Sequence, residues 1–204
     1  MDTGIRYFFY DLFFSMFVRE PSDAVIEAWR TGLAGVVEVP NSTEIMGINP
    51  TELLTVLNVE RKNEAVRSEF FRLFWSPDGP GIPLSGSYYS DGKAFGPYLI
   101  RMRTFLEKTP FRKTENYQEP EDSLAFHLDL MRMFIVEEND AASPDERCRW
   151  RKLQGELVSD FLGVWIDKLL EKLMNRDTEP VYRSIASLFR RFLDRENEMF
   201  LAAR

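Results

Sequence analysis

The 204-residue chain has one cysteine and one histidine. Cys148 alone cannot build an intramolecular disulfide framework. Cys148 and His127 together cannot supply the ligand sets of zinc sites, thiolate clusters or attached c-type haem. Counting does not exclude a carboxylate-only site for Mg²⁺ or Ca²⁺, but no cofactor is expected. Glycine and proline are scarce at 11 each, which excludes collagen-like and low-complexity classes. No stretch approaches 18 uncharged apolar residues, so no membrane span is expected. Positive charge is in deficit, with 26 Lys and Arg against 33 Asp and Glu and a net charge of −7. General nucleic-acid binding is therefore not expected, and a basic or neutral partner is favoured. Neither G-x-x-x-x-G-K-[ST] nor G-x-G-x-x-G occurs. Asp2 and Asp11 break up the basic start and apolar run that a secretory signal needs, so the expected location is cytoplasmic.

What is abundant is apolar and aromatic: 44% of the residues are hydrophobic and 14% are Phe, Trp or Tyr, enough for one ordinary core. The apolar residues recur at helical spacing. Ile5, Phe8, Phe9, Leu12, Phe13, Met16 and Phe17 form one face of a first helix. Ser22 or Asp23 can cap a second helix over 24–33, Pro50 suits the start of one over 51–57, and a longer helix is expected over 59–75. Residues 76–96 hold eight Pro or Gly along with Tyr88, Tyr89 and Phe95, which predicts a long loop pinned by aromatics. Helix returns at 97–108. The polar stretch 110–118 is the expected hinge between an N-terminal lobe, about 1–109, and a C-terminal lobe, about 119–204. The second lobe should contain a helix over 119–138, one opened by Ser143-Pro144-Asp145-Glu146 with a bend near Ser159, and a last one from Glu179-Pro180 carrying Val181, Ile185, Leu188, Phe189 and Phe192 on one face. The expected class is all-α, a single globular helical domain with two lobes.

Chemistry is thin. His127 sits at helical spacing with Leu124, Leu128, Met131 and Ile135, as a partly buried helix histidine or a binding contact would. Cys148 lies between arginines on a helix. The informative feature is charge: residues 115–146 carry ten acids and one cation, Arg132. Within them Glu119-Pro120-Glu121-Asp122 suits a helix opening, with proline at the first position and carboxylates offsetting the helix dipole. The same carboxylates could instead face outward and pair with a partner's guanidinium groups, whose planar fork matches a carboxylate.

Glu119-Pro120-Glu121-Asp122, followed by Leu128 and Met131, resembles the E-P-x-D-H…L…M signature of the TorD/DmsD family of molybdoenzyme maturation chaperones, related to NarJ. Further stretches resemble that family in order. Phe70 to Pro77 is similar to its aromatic-x-x-L-F-x-G-P segment, and Pro83-Leu84-Ser85-Gly86-Ser87-Tyr88-Tyr89 to its P-P-W-G-S-V-[YW] loop. Phe95-Gly96 and the following helix resemble F-G-x-x-x-L-x-x-R, 157–165 resembles F-L-x-x-H-L-x-x-W, and Pro180-Val181-Tyr182-Arg183 resembles P-[FV]-Y-R. The chain departs from the pattern at Ser123, Ser85 and Phe161, which stand where the family has His, Trp and His.

The resemblance implies a cytoplasmic chaperone without catalysis. It would bind the twin-arginine signal peptide of a molybdoenzyme precursor and hold the client during cofactor insertion. The implied peptide site combines Glu119, Glu121, Asp122, Ser123 and His127 with an apolar groove from Phe70, Leu73, Phe74, Pro83, Ser87, Tyr88 and Tyr89. A domain-swapped homodimer is compatible with two helical lobes. The competing readings are a helical adaptor for another protein and, more remotely, a nucleotide hydrolase.

Overall fold

The computed structural model describes residues 3–38, 48–59, 63–75 and 81–202. Among them the secondary structure is helical, with no strand and one isolated antiparallel bridge between Ser85 and Ser123. The helices are α1 Thr3–Phe17, α2 Asp23–Glu38, α3 Thr51–Val59, α4 Asn63–Phe74, α5 Gly86–Asp91, α6 Pro97–Leu106, α7 Leu124–Asp140, α8 Pro144–Glu156, α9 Gly163–Met174 and α10 Pro180–Ala202. A π-helical turn, Leu157–Leu162, joins α8 to α9.

Local chemistry explains several boundaries. Ser22 Oγ accepts from Val25 N at the start of α2, and Asn49 Oδ1 accepts from Thr51 N at the start of α3. Ser143 Oγ accepts from Glu146 N while Glu146 Oε2 accepts from Ala142 N, a reciprocal cap on α8 with Pro144 in the first turn. Two expectations are corrected and a third is sharpened. The 76–96 stretch is not a continuous loop, because residues 86–91 coil into α5 and end at Gly92 with φ +71; Ser76, Pro77, Gly79 and Pro80 lie outside the described residues. The helix expected from 119 starts at Leu124, because Ser123 is the residue whose side chain caps it. The bend near Ser159 is the π turn. A Cβ on Gly163 would sit 2.8 Å from the Val158 carbonyl oxygen, so only glycine leaves room for that oxygen.

The chain divides into two compact units, and the division does not fall at 110–118. The first unit combines Met1–Ile82 with Leu170–Arg204. Its core stacks Phe13 on Phe189 at 4.3 Å and sets Tyr10 edge-on to Phe192 at 4.9 Å, in the attractive geometries of aromatic pairs. Arg6 reaches Glu196 through two bonds of 2.7 and 2.8 Å, all buried, with Tyr10 donating to the same carboxylate at 2.9 Å. Glu69 on α4 accepts from Val181 N and Tyr182 N, satisfying donors that the first turn of α10 leaves open.

The second unit is Pro83–Leu169. Residues 110–118 lie inside it. Arg112 Nη1 donates there to the carbonyls of Leu106, Thr109 and Phe111, and the Phe111 ring packs 5.9 Å from both Phe134 and Trp150. Among the described residues no helix is long and apolar enough to cross a membrane.

Candidate peptide-binding site

The Glu119–Ser123 turn is held by α5, α6, α7 and the start of α9. Gly86 N donates to the Asp122 carbonyl at 2.8 Å, and Leu124 N donates to the Leu84 carbonyl at 2.8 Å. The Asp122 side chain is buried, 1% exposed, and its Oδ2 accepts from Ser87 N at 3.1 Å and Ser85 Oγ at 3.3 Å. Those bonds hold Asp122 inward, which is why α7 starts after it rather than at Pro120. Asp122 Oδ1 and the buried Ser87 Oγ have no hydrogen-bond partner among the described residues.

Behind the turn lies a directed chain of hydrogen bonds. Trp165 Nε1–H donates to Tyr98 Oη at 2.9 Å, Tyr98 Oη lies 2.9 Å from His127 Nε2, and His127 Nδ1 lies 2.7 Å from the Ser123 carbonyl. A carbonyl only accepts, so Nδ1 carries the proton. Burial pushes the imidazole pKa down to about 4, which keeps the ring neutral. Nε2 is then the acceptor and Tyr98 donates to it. Gly86 makes room for this chain, since a Cβ there would meet the Tyr98 ring at 2.3 Å and Trp165 Nε1 at 2.8 Å.

At the mouth, Glu121 accepts a two-pronged guanidinium. Arg103 Nε and Nη2 reach Oε1 and Oε2, each at 3.1 Å. Burial pushes the Glu121 carboxyl upward, but the Arg103 bonds and charge win and hold it below the ordinary carboxylate range. Glu119 is exposed beside it. The turn thus carries an exposed carboxylate at Glu119, one paired with arginine at Glu121 and a buried one at Asp122. Among the described residues no group of three or more His, Cys, Asp or Glu side chains is placed to hold a metal ion.

The expected site residues separate. Tyr88 is exposed on α5, Pro83 is half-buried, and Tyr89 is buried, donating to the Pro83 carbonyl at 3.0 Å and stacking on Trp165 at 5.7 Å. Ser123 and His127 are buried and support the turn from behind. Phe70, Leu73 and Phe74 belong to the first unit. Phe70 and Leu73 are buried, and Phe70 and Phe74 pack against Tyr182. Phe70 and Leu73 are core residues and Phe74 is half-buried, because one helix cannot turn all of Phe70-Phe71-Arg72-Leu73-Phe74 inward. The aromatics left outward are Phe71 on α4, 48% exposed, and Trp75 just past its end, 69% exposed. Phe71 borders an open cleft of about 480 Å³ lined also by Glu20, Glu64, Arg67, Ser68 and Arg72.

Sequence reasoning missed Tyr98, Trp165 and Ser85 as supports and Arg103 as the partner of Glu121. The F-G-x-x-x-L-x-x-R segment carried the signal for Arg103, because its final arginine falls on that position.

The family model described as nitrate reductase delta subunit matches residues 48–171, more than half of the chain. The chaperone protein TorD of Aliivibrio salmonicida is 22% identical over 187 residues, covering 88% of this chain and 87% of that protein. TorD of Vibrio parahaemolyticus is 26% identical over 187 residues, covering 86% and 85%. The crystal structure of a candidate redox enzyme maturation protein from Archaeoglobus fulgidus matches in fold with a TM-score of 0.56 at 20% identity, covering 93% of this chain and 94% of that one.

Proposed function

Because the chain belongs to the nitrate reductase delta subunit family, we propose that it holds the precursor of a molybdenum-containing redox enzyme by its twin-arginine signal peptide while the cofactor is inserted. It is a maturation chaperone of the TorD kind and not an enzyme. The reading places it in the cytoplasm, before export of the client.

The observation that carries the peptide reading is the Glu121 carboxylate, already engaged by a guanidinium in fork geometry at 3.1 Å on both prongs. A twin-arginine peptide brings two such forks followed by an apolar stretch. Glu121 and the exposed Glu119 supply carboxylates, and the exposed Tyr88 supplies an aromatic contact of the kind that anchors interfaces. Asp122 acts from within, fixing the turn through Ser87 and Ser85.

Calorimetric titration with a panel of twin-arginine signal peptides, each paired with a Lys-Lys control, tests the reading. We expect a client-selective signal that weakens with salt, and a loss of about 1.5–3 kcal/mol in Glu121→Gln, the range for a hydrogen bond to a charged group. Salt-independent binding that ignores Glu121 would remove the site from the proposal.

A further inference from the structure

We infer that Arg103 is an internal gate on the Glu121 site: its guanidinium occupies the place a client arginine takes, and binding is the exchange of one guanidinium for another. The inference rests on the peptide-binding reading above.

The two partners are unequal. The Arg103 side chain is 58% exposed, whereas that of Glu121 is 13% exposed. An exposed arginine that lets go recovers its hydration, so leaving costs it little. A mostly buried carboxylate without a partner keeps its desolvation penalty. Glu121 therefore releases Arg103 readily only to a group that replaces both bonds at once. A guanidinium does this, since its planar fork presents two parallel N–H donors. An ammonium is a compact point charge that cannot match both oxygens in that geometry. The preference for arginine over lysine thus belongs to the Glu121 carboxylate, and Arg103 sets how tightly either cation can be held there.

Arg103 also has a resting place after displacement. It lies in the last turn of α6, where a cation is favoured by the carbonyl end of the helix.

The test uses the full chain, a synthetic twin-arginine signal peptide and its twin-lysine counterpart. Arg103→Gln removes the internal competitor and should bind the twin-arginine peptide up to about five-fold more tightly, as fits an exposed ion pair. Its preference over the twin-lysine peptide should be unchanged, because an internal competitor weakens both peptides by the same factor. In the unmodified protein, the ¹⁵Nε–H resonance of Arg103 should move to the position of a solvent-exposed arginine on saturation with the twin-arginine peptide. Unchanged melting of Arg103→Gln controls for folding. Binding that persists and depends on Glu121, with Arg103 Nε unmoved or Arg103→Gln no tighter, overturns the gate and leaves the peptide reading intact. Silence of both the unmodified protein and Arg103→Gln toward every twin-arginine peptide overturns the two together.

Discussion

Tyr98 serves two partners with one hydroxyl. It accepts from Trp165 Nε1 and donates to His127 Nε2, and both neighbours are buried. Tyr98→Phe would keep the ring and orphan a buried donor and a buried acceptor at once. We expect a loss of about 2 kcal/mol in a denaturant titration, with the midpoint lowered and the slope unchanged. A loss under about 0.5 kcal/mol would show that the chain of bonds contributes nothing to stability. The residues of this network were only partly legible in advance. His127 was visible as a helix histidine, and its spacing with Leu124, Leu128 and Met131 correctly suggested burial. Its role behind Ser123 was not visible, since the partner hydroxyl lies 29 positions away and no local pattern encodes that meeting. The same holds for Asp122. Its charge drew it into the candidate site as a contact, whereas Ser87 and Ser85 draw it inward as a strut.

At the scale of elements, capping chemistry carried most of the information. Ser143-Pro144-Asp145-Glu146 starts α8 as its side chains dictate, because those groups bond to backbone within four residues, whereas the first donors of α10 after Glu179-Pro180 are met by Glu69, 112 and 113 positions away. The π turn was visible only as a bend, since a bulge in the ladder depends on what the helix packs against. Gly163 is its sensitive point. Gly163→Ala would push a Cβ onto the Val158 carbonyl, so we expect it to destabilise by about 1–3 kcal/mol, as steric crowding in packed sites does. It should also shift the emission of Trp165, two residues on. Retention of both stability and emission would mean that the turn accommodates a methyl group. On α4 the amphipathic pattern was overloaded. With aromatics on every side, period alone could not say that Phe70 faces inward and Phe71 outward, and contacts with α1 and α10 decide it.

At the scale of the whole molecule, two buried groups among the described residues titrate in opposite directions below neutral pH, one in each unit. In the first unit, burial raises the Glu69 carboxyl from 4.5 to about 7. The native state then binds more protons than the unfolded chain between pH 4.5 and 7, so this group lowers stability as pH rises through that window. In the second unit, burial lowers His127 from 6.5 to about 4. There the unfolded chain binds more protons, so stability falls as pH drops from 6.5 toward 4. Each effect is on the order of 3 kcal/mol at its limit. Over pH 4.5–6.5 they oppose one another, which flattens the pH dependence of any single global melting temperature. Hydrogen exchange followed unit by unit, corrected for intrinsic rates, should show peptides around Glu69 gaining protection toward acid while those around His127 lose it. Glu69→Gln should abolish the first trend and leave the second. Parallel trends in both units would contradict the assigned protonation states.

The all-α class, most helix starts, the scarcity of metal and nucleophile chemistry and the family resemblance follow from the sequence alone. They depend on helical period, on caps bonded to nearby backbone and on composition, all of which are local. Tertiary structure alone decided that the C-terminal helix joins the first 82 residues, that Phe70 and Leu73 are core, that Asp122 is buried, and that Glu121 rather than Asp122 meets a guanidinium. Each of these depends on groups far apart in the chain competing for the same buried space and the same hydrogen bonds, and that competition is resolved only once the helices pack.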